Sequence, residues 1–291
     1  MDQRDAFPAY LLSEPEGDDA PLIVSSPHSG EHYPDKMLER STLSRHYLRR
    51  LEDTHVDRLV ADAPLCGAWL LRAAFARAYV DLNRDRFELD PRLITGSVPD
   101  FVNTASLKAR AGLGSVPSQV GGRAIYRRGF DFKHLHERLE RAYSPYHNTL
   151  ETLLHRMLEQ FGGAVLLDCH SMPSMPDIGI SADIVLGDRF GRSCHHRVLE
   201  VAELVLRRHG YKVTRNRPYA GGFITAHYGK PLRNIHAMQI EIRRDLFMDE
   251  HSMEPHAGLA RMRRHLADLV TELAACAHEL ARPSDLPQAA E

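Results

Sequence analysis

Cysteine is scarce in this sequence. Cys66, Cys169, Cys194 and Cys276 stand far apart with no C-x-x-C pair, which argues against a disulfide-stapled scaffold and a thiolate zinc site. Long apolar runs are missing too. No stretch approaches the about 18 uninterrupted apolar residues of a membrane span. The first twenty residues carry Asp2, Arg4, Asp5, Glu14, Glu16, Asp18 and Asp19 without an apolar signal core, so the sequence reads as cytoplasmic and not membrane-bound. Nor is one sign of charge in excess: 37 Lys plus Arg against 39 Asp plus Glu leave a formal charge of -2. That balance offers no global attraction for nucleic acid or anionic lipid. Internal repeats and low-complexity segments are absent.

What is present is an ordinary globular composition, 43% hydrophobic and 26% charged over 291 residues, enough to build a sizeable core. The reading is one α/β domain over residues 21–282, with an N-terminal extension, 1–20, and a flexible tail, 283–291. Histidine is plentiful at 18 residues, and neutral imidazole is the commonest metal ligand.

The apolar block Pro21 to Ser26 is short and β-branched and ends in Pro27-His28-Ser29-Gly30, a buried strand running into a loop. Asp35 to Arg50 is loosely helical. Glu52-Asp53 precedes Val56, Leu59 and Val60, the acid-first pattern of a helix start. Strands are expected at Ala68 to Ala74, Arg77 to Leu82, Ala164 to Leu167, Ala182 to Leu186, Tyr211 to Arg215 and His236 to Ile242. Helices are expected over Phe132 to Phe161, broken near Pro145, over His195 to Arg208, and over Pro255 to Leu280. Asp90 to Gly129 is an irregular insertion that can cover a site, and Gly221-Gly222 opens a loop through Tyr228. Strands alternating with helices, with apolar runs in the strands, predict a mainly parallel mixed sheet covered by helices on both faces. Such sheets bind ligands beyond the carboxyl ends of their strands.

Polar residues crowd three of those ends: Pro27-His28-Ser29-Gly30-Glu31, Asp81-Leu82-Asn83-Arg84 and Asp168-Cys169-His170-Ser171. Glu241 adds a carboxylate inside an apolar strand. Two neutral imidazoles with one carboxylate form the ligand set of a hydrolytic zinc site, and a further carboxylate can take a proton from water there. Ser29 and Ser171 have no G-x-S-x-G elbow around them, and Cys169, adjacent to His170 on a strand, faces the other way.

His28-x-x-Glu31, Asn83-Arg84, His170 and Glu241 occur in the order found in zinc carboxypeptidases and aspartoacylase-type deacylases. SSPHSG, EDTHVD, YVDLNRDRFELDP, LLDCHSMPS and IEIRR, spread from about Pro21 to about Arg244, resemble the N-formylglutamate amidohydrolase family. The resemblance implies a carboxypeptidase-like α/β fold and zinc-dependent hydrolysis of the N-acyl amide of a small acidic amino acid, N-formylglutamate being the type substrate. Another divalent metal would serve the same chemistry. It places the metal on His28, His170 and a carboxylate, for which Asp53 is chosen, with Glu31 or Glu52 next. Glu31 runs into His32-Tyr33-Pro34, a poor helix start, whereas Asp53 sits at one. Glu241 is the general base; the alternative is a salt bridge with Arg243, Arg244 or another arginine. Arg84, with Asn83, grips a substrate carboxylate, the alternative being an ion pair with Asp81 or Asp85. An acidic amino acid has two carboxylates, so a second cation is sought among Arg123, Arg127 and Arg128 of the insertion, and Arg127 is chosen.

Overall fold

β-Branched and leucine-rich runs form the centre of the molecule. A computed structural model describes residues 7–174 and 181–281; the expected tail, 283–291, lies outside the described residues. The strands are β1 (Tyr10–Ser13), β2 (Leu22–Ser26), β3 (Trp69–Ala73), β4 (Gln119–Val120), β5 (Arg123–Ala124), β6 (Ala164–Met172), β7 (Ile184–Gly187), β8 (Val213–Arg215) and β9 (Ile235–Arg243). The helices are α1 (Asp35–Arg40), α2 (Arg45–Leu48), α3 (Val56–Leu59), α4 (Leu107–Arg110), α5 (Phe132–Arg138), α6 (Ser144–Phe161), α7 (His196–Arg208), α8 (Phe223–Tyr228) and α9 (Gly258–Ala281).

Seven strands form one sheet in the order β1-β3-β2-β6-β9-β7-β8. The pairs β3/β2, β2/β6, β6/β9 and β7/β8 are parallel, while β1/β3 and β7/β9 are antiparallel. The expected mainly parallel, mixed sheet is therefore present. One face packs Ile23, Leu166 and Ala237 beneath α5 and α6; the other packs Val24, Leu167, Ile240 and Ile242 against α3, α7 and α9. Period-two alternation sorts each central strand between these two cores. Each such aliphatic side chain contributes roughly 1.5–3 kcal/mol by leaving water. No helix among the described residues is long and apolar enough to cross a membrane.

Three local expectations change. Arg77 to Leu82 is not a strand but a set of turns. The edge of β3 that it would need is taken by β1, in a segment read as an extension, and the Asp81 amide bonds the Ser115 carbonyl instead. The segment after Gly221-Gly222 is helical, as α8. The helix expected to break near Pro145 stays continuous: a π-helical stretch, Leu139–Tyr143, joins α5 to α6 and sets Pro145 directly after the widened turn. Gly162, at φ 80°, ends that helix as expected.

Candidate active site

The carboxyl ends of the parallel strands deliver the polar residues to one place. His28 follows β2, and His170 ends a polar stripe on β6 that begins with Asp168 two residues earlier. Asp53 lies just before α3, its backbone N–H bonded to the His28 carbonyl at 3.0 Å. The two imidazole rings are 4.7 Å apart between centroids. Their Nδ1 atoms face the same oxygen, Asp53 Oδ2, at 3.2 Å from His28 and 2.9 Å from His170. One ligand atom from each of these three buried residues lies within 4.8 Å of the others.

Both outer ring nitrogens are held by further carboxylates. His28 Nε2 bonds Asp81 Oδ1 at 2.7 Å, and His170 Nε2 bonds Asp168 Oδ2 at 2.8 Å. Asp81 in turn accepts from Arg77 Nε and the Asn83 amide; Asp168 accepts from the Ser25 hydroxyl. Asp53 Oδ1 accepts from Ser171 Oγ and from Arg244. Burial works to raise the Asp53 and Asp81 carboxyls. It is outweighed by hydrogen bonds from His170 and His28 at Asp53, and by Arg77, Arg84 and His28 at Asp81, and both are held well below the usual carboxylate range.

Glu241 stands on β9 beside this cluster. Its neighbours Ile240 and Ile242 point into the opposite core, so the carboxylate faces the site. Burial, opposed by His170, pushes its pKa up to about 7. Gln239, two residues earlier and on the same face, donates to Glu241 Oε1 at 2.8 Å and accepts from the Gly222 amide at 2.8 Å. Among the described residues no arginine forms a salt bridge with Glu241: Arg243 pairs with Asp183 and Asp245, and Arg244 with Asp53.

These residues line a cavity of about 490 Å³ that includes Arg84, Asn83, Lys108 and Tyr219, a size suited to a small molecule. Arg84 bonds the Leu113 and Asn83 carbonyls and lies 3.9 Å from Asp81. The Asn83 amide is engaged by Asp168, His170 and the Ile224 N–H, so it positions the site from inside.

Of the three carboxylates considered beside the histidines, the structure brings Asp53 to them. Glu31 is exposed and pairs with Arg49, and Glu52 turns to Tyr33 and Arg49. Arg127 is not brought to this cavity. It is exposed in a separate groove with Asp90, Arg92 and Arg128, because the β4–β5 hairpin carries residues 123–128 away. Sequence reasoning left Asp81, Asp168, Gln239 and Lys108 without roles. The pairs Asp168-x-His170 and Gln239-x-Glu241 were visible as same-face neighbours on strands; Asp81 and Lys108 carried no comparable signal.

Three comparisons bear on this arrangement. The sequence profile described as N-formylglutamate amidohydrolase matches residues 20–248. The chain is 32% identical over 263 residues to N-formylglutamate deformylase of Pseudomonas aeruginosa, covering 87% of this chain and 91% of that one. It is 34% identical over 239 residues to N-formylglutamate deformylase of Pseudomonas putida, covering 79% and 82%. The crystal structure of N-formylglutamate amidohydrolase from Ralstonia eutropha JMP134 superposes with a TM-score of 0.88 at 36% identity, over 93% of this chain and 98% of that one.

Proposed function

The chain belongs to the N-formylglutamate amidohydrolase family, and on that premise we propose that it hydrolyses the N-formyl amide of N-formylglutamate to formate and glutamate. The reading assigns zinc, or another divalent metal, to His28, Asp53 and His170. The observation that carries it is the orientation of the two imidazoles. Each Nε2 is anchored on a carboxylate and each Nδ1 faces the same oxygen of Asp53, so loss of the Nδ1 protons would leave two lone pairs and a carboxylate oxygen converging on one point. Three acceptor atoms so close suit a cation, and carboxylates behind the histidines are the usual support of such ligands. When bound, a divalent metal supplies Lewis acidity, polarising the scissile carbonyl and making water acidic enough to attack near neutral pH.

The remaining work falls to the chain. Glu241, in its ionised form, accepts the proton of the attacking water and delivers it to the departing nitrogen as the C–N bond breaks. Gln239 holds that carboxylate in place. Arg84 presents Nη2, which makes no hydrogen bond among the described residues, to a substrate carboxylate, with Asn83 behind it to fix the segment. Holding the substrate in this way lowers the barrier by several kcal/mol.

The test is direct: measure formate and glutamate release from N-formylglutamate by protein dialysed against chelator and then reloaded with zinc. The expected result is loss and recovery of activity in step with bound metal. Full activity at negligible metal content would refute the metal assignment, and no release of either product from metal-loaded protein would refute the substrate.

A further inference from the structure

Four arginines and one lysine line the cavity, and they differ in what they have left to give. Arg77 is spent on Asp81 and the Leu51 carbonyl. Arg244 is spent on Ser171, the Glu52 carbonyl and Asp53. Arg50 lies against the Tyr47 ring, 5.0 Å from its centre. Arg84 uses Nε and Nη1 on carbonyls, leaving Nη2. Lys108 makes no ion pair and no side-chain hydrogen bond among the described residues. Its backbone is nonetheless fixed: Ser106 caps the single turn of α4 by accepting from the Lys108 and Ala109 amides, and Ser106 itself donates to Glu88. Lys108 is an exposed residue; partial desolvation first, and the neighbouring Arg84 charge next, opposed by Glu88 and Asp81, push its ammonium below its ordinary range. Of these five cations, Lys108 and Arg84 line both this cavity and the adjoining outer one, and two positive charges side by side are relieved by an anion bound between them.

Resting on the amidohydrolase reading above, we propose that Lys108 receives the side-chain carboxylate of the acidic N-acyl amino acid while Arg84 takes the α-carboxylate, making Lys108 the residue that separates glutamate-type from neutral substrates. The α-carboxylate is two bonds from the amide nitrogen and so stays near the reacting centre. Arg84 fits it, being adjacent to Asn83, which touches His170, and 3.9 Å from the Asp81 that holds His28. The side-chain carboxylate reaches farther out. Lys108 comes from the insertion and lines the adjoining outer cavity with Glu88 and Leu107.

N-formyl-L-glutamate and N-formyl-L-glutamine differ in one charge and scarcely in shape. Steady-state kinetics with both, on wild type, Lys108→Met and Lys108→Arg, together with calorimetric binding of L-glutamate and L-glutamine to each protein, test the proposal. Lys108→Met is expected to raise KM for N-formylglutamate roughly ten- to hundredfold, the value of a charge-assisted hydrogen bond. N-formylglutamine kinetics should be unchanged, and Lys108→Arg should restore most of the preference. Equal losses on both substrates, or a preference that survives in Lys108→Met, would overturn it. If wild type hydrolyses neither compound, the amidohydrolase reading falls and binding alone decides. A glutamate preference that vanishes in Lys108→Met still supports the dicarboxylate role, and a wild type without that preference overturns it.

Discussion

His170 and Glu241 are register partners on the adjacent parallel strands β6 and β9. The metal-ligand candidate and the candidate base are thereby fixed side by side by backbone hydrogen bonds rather than by loops. A one-residue slip of β9 against β6 would turn Glu241 into the opposite core and leave His170 in the site, so their mutual position is as firm as the sheet.

That rigidity makes the outer carboxylates worth testing separately from the ligands. Asp168→Asn and Asp81→Asn should leave the fold intact and weaken zinc binding roughly ten- to hundredfold, because each imidazole loses the partner that sets its tautomer. His28→Ala or Asp53→Ala should remove stoichiometric metal altogether. Competition with a fluorescent chelator reads both effects; unchanged affinity in the two asparagine variants would contradict the assignment of these histidines.

The acid limb of catalysis follows from Glu241. Its pKa stands at about 7, and only the ionised form accepts a proton, so kcat/KM should fall as pH drops through that value. A bound cation next to it favours the ionised form and places the limb at or below 7. Glu241→Gln should reduce kcat by roughly 10²–10⁴-fold with metal content retained. Gln239→Leu removes a donor to the ionised carboxylate and should move the limb to higher pH. A limb that stays in place in Gln239→Leu would deny Gln239 its positioning role.

Stability should report His147, a buried residue of α6. Its ring bonds the Tyr228 hydroxyl and the Leu82 carbonyl, and burial pushes its pKa down to about 3. An unfolded histidine titrates near 6.5. The neutral ring therefore contributes stability that is fully present above 6.5 and is lost as pH falls toward 3, at up to about 1.4 kcal/mol per pH unit for one proton. His236, pushed down to about 4, adds to the same trend. Urea unfolding of wild type and His147→Gln between pH 7.5 and 4.5 should show a shallower decline in the variant; parallel declines would contradict the argument.

The parts of the site legible in the sequence were those carried by short-range pattern. His28 and His170 sit at the ends of apolar runs, Asp53 opens a helical turn, and Glu241 alternates with two isoleucines on a strand. Each of these is local. Arg77 to Leu82 read as a strand because its composition suits one, but whether a sheet edge is free depends on β1, more than sixty residues away in the chain. The second cation was sought in the insertion at Arg127, which lines a separate groove rather than the cavity of the histidines. The insertion has no periodicity, so nothing local distinguishes Lys108, which lines the cavity, from Arg127, carried off by a hairpin.

Gly222 offers the sharpest steric test of how closely the loop before α8 is fitted to the site. A Cβ built there would lie 2.4 Å from Asn83 Nδ2 and 2.5 Å from Asn83 Oδ1, so the conflict is with a side chain tied to Asp168, His170 and Ile224 N–H. The same glycine donates its amide to Gln239, which holds Glu241. Its φ of -93° is open to any residue, so backbone strain plays no part. Gly222→Ala should therefore push Asn83 and Gln239 together, lowering kcat by about tenfold or more, as small displacements of aligned groups do. Unfolding stability should fall by only the roughly 1–3 kcal/mol of a local overpacking. If the variant folds and turns over N-formylglutamate at the wild-type rate, the coupling from this loop through Asn83 and Gln239 to the catalytic carboxylate does not operate.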